Sequence, residues 1–345
     1  MAVTLIKPCY LVIFILITLS TSKSQAEQLG FYFDAHLNSP ASKLNDVIGN
    51  WKSSSRGDYA YGGARMGSWF KLKSNVIFGI EKRISHYIDF TPVTAFFYGQ
   101  LEEESIPAGV YGLDLSVNSN STESLFVQYE YVFSGKYLVK LKAYGLIGNL
   151  VQIGRIVGEG EVGVDDSYTY QYELDYQYGE DYLFDKPSLA TKGYGHSFDV
   201  TLSYRYSNSL VFGFALEDFF YRIYWSPINQ DRGCVARPSP EGTLCVLRSQ
   251  QVSKTQQLPH IPTLFGRYKF ESTELEFKAV DRARHDEIWI GLKADHLELA
   301  LEGVNEVFKI GYQSEPLKVE WSFDDYRHQK ANHWQISLAT QWAFQ

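Results

Sequence analysis

The chain of 345 residues carries 32 Lys and Arg against 40 Asp and Glu, a net charge of −8 at pH 7, and 16% of it is Phe, Trp or Tyr. An acidic balance of this size argues against a nucleic-acid partner, because phosphate recognition needs a basic face. After residue 26 no apolar run reaches the roughly 20 residues of a spanning helix, so any passage through a membrane is made by strands.

Residues 1–26, "MAVTLIKPCYLVIFILITLSTSKSQA", place Lys7 before an apolar run from Tyr10 to Leu19 and end in Ser24, Gln25 and Ala26. That is the three-part layout of a secretory signal peptide, with small residues at the cleavage point. Its removal takes away Lys7 and Lys23 and no acid, so the mature chain 27–345 carries a net charge of −10. Of the three cysteines it leaves Cys234 and Cys245, an even count that reads as one disulfide in an exported chain.

From residue 28 onward the pattern has period two, the spacing at which side chains alternate between the faces of a strand. "QLGFYFDAHL" puts Leu29, Phe31, Phe33, Ala35 and Leu37 on one face. "SPASKLNDVIGNW" (39–51) breaks the rhythm, with Ser39 as a cap, Pro40 at a first helical position, and Leu44, Val47, Ile48 and Trp51 at helical spacing. "TPVTAFFYGQL" (91–101) starts the same way, with Thr91 and Pro92. Both read as short loop or plug helices. "SLFVQYEYVF" (124–133) returns to strand spacing. The Gly-rich "GRIVGEGEVGV" (154–164) lacks the Lys-Ser/Thr of a phosphate loop and is expected to be a flexible loop. "SYTYQYELDYQY" (167–178) alternates tyrosines with Glu173 and Asp175, and "HSFDVTLSYRY" (196–206) sets Asp199 opposite Phe198 and Val200. The stretch 226–258 shows no pattern and is expected to be one long loop, extracellular, holding the Cys234–Cys245 bridge between strands that end near Trp225 and start near Pro259. Short alternating segments then recur to the end, with Glu320 in mid-strand. About seventeen segments are candidates, against the even number of about 14 to 16 that 27–345 suits.

Mid-strand carboxylates facing away from aromatic residues decide the fold class. A soluble sandwich buries one face of each strand, whereas a membrane barrel needs an apolar belt outside and a polar lumen within. Only helices and closed barrels satisfy the backbone in lipid. The expected fold is therefore all-β, a closed antiparallel transmembrane β-barrel spanning 27–345 as one domain. Glu173, Asp175, Asp199 and Glu320 are its candidate lumen carboxylates, a set that would favour cations in a channel.

The final stretch, "HWQISLATQWAFQ", sets Trp334, Ile336, Leu338, Trp342 and Phe344 on one face and Gln335, Ser337 and Gln341 on the other. An alternating strand closing on an aromatic resembles the C-terminal signal of Gram-negative outer-membrane β-barrel proteins. It departs in one respect, since Gln345 follows Phe344. The resemblance implies residence in the outer membrane, contact with its lipid, and recognition by the barrel-assembly machinery through those five residues.

No catalytic, cofactor or metal residues stand out. Histidines show no ligand spacing, and G-x-S-x-G and nucleotide fingerprints are absent. Two loops, with Asp281, His285 and Asp286 and with Asp324, Asp325 and His328, offer acid–His sets of the kind that activate water at the rim of omptin proteases. Mixed with Arg282, Arg284 and Arg327, they read first as solvated rim loops. The function expected is a porin-like channel or transport barrel for small solutes or a polymer. The alternatives are a non-transport barrel (adhesin, assembly scaffold, surface-polymer export partner) and a rim hydrolase. Oligomeric state is not legible.

Overall fold

The computed structural model describes residues 26–40, 57–72, 75–103, 106–164, 167–180, 191–237, 245–282, 285–327 and 330–343. The expected helix at 39–51 lies almost wholly outside these, as do His328, Phe344 and the leader up to Gln25.

Sixteen strands follow one another along the described chain. The first half holds β1 (Ala26–Asn38), β2 (Tyr59–Leu72), β3 (Val76–Phe90), β4 (Gly109–Phe133), β5 (Tyr137–Val162), β6 (Tyr168–Tyr178), β7 (Gly193–Arg205) and β8 (Leu210–Arg237). The second half holds β9 (Leu247–Gln257), β10 (Ile261–Phe270), β11 (Thr273–Asp281), β12 (Asp286–Ala294), β13 (Leu297–Glu302), β14 (Val307–Ser314), β15 (Leu317–Phe323) and β16 (His333–Ala343). All pairings are antiparallel, and β1 pairs with β16 from Gln28↔Ala343 to Asn38↔His333, which closes the sheet.

The sixteen elements fill fourteen places in the ring. The long β5 and β8 each carry two partners end to end. On β5, β7 pairs with the first half and β6 with the second. On β8, β10 pairs with residues 210–217 and β9 with 222–233. The fold is thus a closed 14-strand antiparallel β-barrel, with β6, β9 and the far ends of β4, β5 and β8 standing above the ring as an extension. Closure leaves no free edge in the ring itself, which is how a sheet survives in lipid.

Exposure alternates as a barrel requires. In β13, Leu297, Leu299 and Leu301 are exposed while Glu298, Ala300 and Glu302 are buried. The outward apolar set continues around the wall through Ile310, Trp321, Leu338, Phe33, Phe78, Leu125, Leu202, Phe212, Leu264, Phe277 and Ile290. Large apolar side chains exposed on most strands of the ring and charged ones buried is the inverse of a soluble protein, and it marks a lipid-facing belt.

The one described helix, α1 (Pro92–Glu103), starts where Thr91 and Pro92 predict. Thr91 Oγ1 accepts the Thr94 amide hydrogen at 3.1 Å, satisfying a free donor of the first turn. Phe96 and Phe97 pack on Tyr111 of β4, so the helix lies against the extension rather than in the ring.

Two expectations are corrected. Residues 154–162 are not a flexible loop but the end of β5, paired with β4 and β6. Their glycines leave space for rings: a side chain at Gly154 would meet Tyr176, and one at Gly160 would meet Phe97. Residues 226–258 are not one long loop either. Most belong to β8 and β9, paired from Arg222↔Gln257 to Gly233↔Leu247. These strands stand above the ring, where lipid does not require an apolar outer face, and the few apolar residues, such as Ile228 and Val252, are too sparse to give a period-two signal.

Candidate functional site

The barrel interior is the site, because the alternation of every strand aims its charged residues there. On the side of β3, β4, β5 and β8 it is filled. Phe126, Tyr144, Leu146, Tyr221, Ile223 and Trp225 pack into one buried cluster. Inward glycines make the room: a side chain at Gly79 would meet Phe126, one at Gly148 would meet Trp225, and one at Gly30 would meet Trp69.

Beside this apolar cluster a lattice of ion pairs spans the lumen. Arg65 of β2 contacts Glu217 (2.8 Å) and Asp218 (3.2 Å) of β8. Arg83 of β3 contacts Asp218 and lies 2.7 Å from Glu81, whose carboxylate also accepts the Tyr32 hydroxyl hydrogen. Glu81 and Arg83 are each only 2% exposed, so desolvation makes these pairs costly to break singly. Lys142 stands over the rings of Phe126 (3.8 Å) and Tyr144 (4.6 Å).

The backbone of β8 is irregular where it meets this lattice. Register with β7 shifts twice between His196 and Val200, and Asp218 and Phe220 take left-handed φ values of 57° and 56°. Non-glycine residues there cost about 1–3 kcal/mol and persist only when surroundings hold them. Here Asp199 does so. Its Oδ1 accepts the Asp218 amide hydrogen at 2.9 Å and its Oδ2 the Tyr144 hydroxyl hydrogen at 2.7 Å. Ser197 donates to Asp218 at 3.1 Å.

A second closure lies nearer the rim. His285 stacks on Tyr59 at 5.5 Å, is 2.9 Å from Asn38 Nδ2, and lies 3.2 Å from Glu287. Arg282 donates to Glu287 at 2.7 Å. Between them and Tyr61 and Tyr87 remains about 10 Å³, room for one water at most.

The candidate lumen carboxylates do not form one ring. Asp199 sits in the lattice as described. Glu320 faces inward between Lys309 (3.4 Å) and Lys318 (3.0 Å). Asp175 and Glu173 are on β6, above the ring. Asp175 accepts from Gln230 at 2.8 Å, with Arg232 3.9 Å away, and Glu173 is exposed opposite Cys234. Three of the four carboxylates thus have a cation or a packed donor beside them. On β16, Gln335 and Ser337 both donate to Asp34 of β1, while Trp334, Ile336, Leu338 and Trp342 alternate to the other face. Cys234 and Cys245 are bridged, Cα–Cα 4.9 Å, at the top of the extension.

The rim acid–His sets are used structurally. Asp324 accepts the amide hydrogens of Asp325, Asn332 and His333, each at 3.0 Å, which shapes the turn into β16. Arg327 grips Asp325 at 2.7 Å and holds its carboxyl at about 2, below the usual range. Neither Asp281 nor Asp286 is among the partners His285 makes.

One part of the interior is open. A cavity of about 170 Å³ is lined by β10, β11, β12, β13 and β14, including Phe265, Arg267, Glu276, Lys278, Trp289, Glu298 and Lys309. Sequence reading missed Arg65, Arg83, Glu217, Asp218 and Lys278. Parity carried the signal for Arg65, which shares a face with Tyr61, Trp69 and Lys71. Adjacent charges at Lys82 and Arg83 hid which of the two turns inward.

No family model and no curated protein matches the chain. Among solved structures it is similar to the deltaS2S3 mutant of the monoaromatic hydrocarbon channel TodX, at 11% identity, covering 94% of this chain and 91% of that one, TM-score 0.45. It is similar to the Pseudomonas putida toluene transporter TodX at 9% identity, 95% and 92% coverage, TM-score 0.42. A Pseudomonas aeruginosa FadL homologue matches at 8% identity, 92% and 91% coverage, TM-score 0.41. Likeness at this level says nothing about the solute of this barrel.

Proposed function

We propose that the protein is an outer-membrane transport barrel for small solutes, closed at rest by its own wall side chains. The carrying observation is the unequal filling of the lumen. Beneath β3–β8 it is packed with rings and buried ion pairs, whereas along β10–β14 a charged cavity of about 170 Å³ persists. Charged groups around a space that size are tolerable only if water or a polar solute occupies it. Export by the leader, lipid around the apolar belt and assembly through the β16 face complete this reading.

The extension above the ring favours a second reading, a barrel whose job is contact with a partner at the surface. It carries the disulfide and places Arg155–Asp114 (2.8 Å) in solvent. Liposome swelling with a neutral pentose separates the two. Transport predicts slow swelling with the native protein and fast swelling once Arg65 and Glu217 are both truncated. Swelling no faster than that of empty liposomes for both proteins overturns transport.

A further inference from the structure

Most of the charges around the β10–β14 cavity are held in ion pairs. Lys309 is paired to Glu298 and Glu320, and Lys318 to Glu320. Arg267 lies 3.6 Å from Glu274, and Glu276 lines the same cavity. Farther up, Glu217 belongs to Arg65 and Glu287 to Arg282. Lys278 remains. It faces inward opposite Phe265 and Trp289 in the register of β11, and its side chain is accessible from the lumen. Among the described residues it makes no ion pair within 4.0 Å, and the carboxylates of Glu217 and Glu287 are held by Arg65 and Arg282.

We infer that this cavity is a docking site for a small organic anion with an apolar body, whose anionic group pairs with the Lys278 ammonium while Trp289 and Phe265 receive the rest. An ammonium that faces the lumen without an ion-pair partner can take an anion through a charge-assisted hydrogen bond, which is the strong kind. The aromatic wall favours an anion with apolar surface over an inorganic one. A volume near 170 Å³ admits a body of about six to ten non-hydrogen atoms, since an apolar cavity of about 150 Å³ holds benzene.

The site rests on the transport reading, and the experiment separates the two. Binding of benzenesulfonate, charged at every working pH, is measured by calorimetry on the detergent-purified barrel. Phenyltrimethylammonium, of similar size and opposite charge, is the comparison. Lys278→Gln should weaken benzenesulfonate binding about tenfold or more, and Lys278→Arg should keep it. Lys293→Gln, a lumen lysine outside the cavity, should leave it unchanged. Folding of each variant is read by heat-modifiable migration in gels. In liposomes, native protein should pass benzenesulfonate faster than the cation, and Lys278→Gln should abolish that preference.

Binding that is absent, that is equal for the two probes, or that survives in folded Lys278→Gln overturns the site whatever the liposomes do. Lys278-dependent binding without permeation keeps the site and overturns transport.

Discussion

Arg65 on β2 reaches Glu217 on β8 at 2.8 Å although β3, β4, β5 and β7 lie between those strands in the ring. A contact between residues so far apart around the wall has to cross the lumen. With Arg83–Asp218 it forms a brace that both narrows the passage and ties distant parts of the wall together.

Removing the brace should therefore separate stability from closure. Arg65→Ala alone leaves Glu217 without its guanidinium while Asp218 keeps that of Arg83, and it should destabilise the barrel by less than the about 3–5 kcal/mol of a fully buried pair broken on one side, because Glu217 is 40% exposed. Arg65→Ala with Glu217→Ala removes both charges and should recover part of that loss. Urea unfolding in detergent measures the difference. In planar bilayers the double variant should conduct more than the native protein, and an unchanged conductance would remove the brace from any role in closure.

Inward glycines set the next expectation. Gly148 has no room for a side chain because Trp225 lies over it, whereas Gly112 has nothing within 4 Å. Gly148→Val should displace the Trp225 ring and cost about 1–3 kcal/mol by overpacking, while Gly112→Ala should be near neutral. Both are measurable as shifts in the urea midpoint, and equal shifts would show that the Trp225 cluster adapts freely.

What was legible in the sequence was whatever repeats. The outward belt and the faces of β16 follow from period two, because lipid requires every second residue to be apolar, whereas counting segments gave about seventeen against the fourteen places of the ring. Helix α1 was legible because Thr91 and Pro92 are local signals. The β8–β9 part of the extension was not, since strands clear of lipid need no apolar outer face and 226–258 then looks like loop. The lumen lattice was invisible for another reason. Arg65 and Glu217 lie 152 positions apart, and only the curvature of the closed sheet brings them together. Asp199 was picked out for its parity, yet its work is to hold the left-handed turn at Asp218.

The two faces of β16 give a paired test. Leu338 alternates outward and is 39% exposed, and Ser337 beside it donates inward to Asp34. Leu338→Arg places a charge in lipid, at about 2–4 kcal/mol if near the midplane. At Ser337 the same change meets a lumen carboxylate and should cost less. If the assembly machinery reads this face, Phe344→Asp should lower the amount of folded barrel in the outer membrane more than Gln345→Asp does. Equal yields for that pair would argue against Phe344 as part of the signal.

The disulfide gives the orientation of the whole barrel. The connections at one end of the ring are short, as at 133–137, 270–273, 294–297 and 314–317, while the other end carries α1, the extension and the Cys234–Cys245 bridge. Outer-membrane barrels keep short turns on the periplasmic side and long connections outside, so the bridge should face the medium. It joins the end of β8 to the start of β9, where the Cys234 amide donates to Val246 O at 3.3 Å. Its sequence separation of 11 closes a small ring, worth about 3 kcal/mol in the chain-entropy model, which holds the tip of a hairpin that has no lipid to support it. On intact cells a membrane-impermeant maleimide should label neither cysteine at first and both after a brief treatment with reductant. Labelling without reductant would show that the bridge does not form. Labelling that requires rupture of the outer membrane would turn the barrel over, placing the extension in the periplasm and the short turns outside.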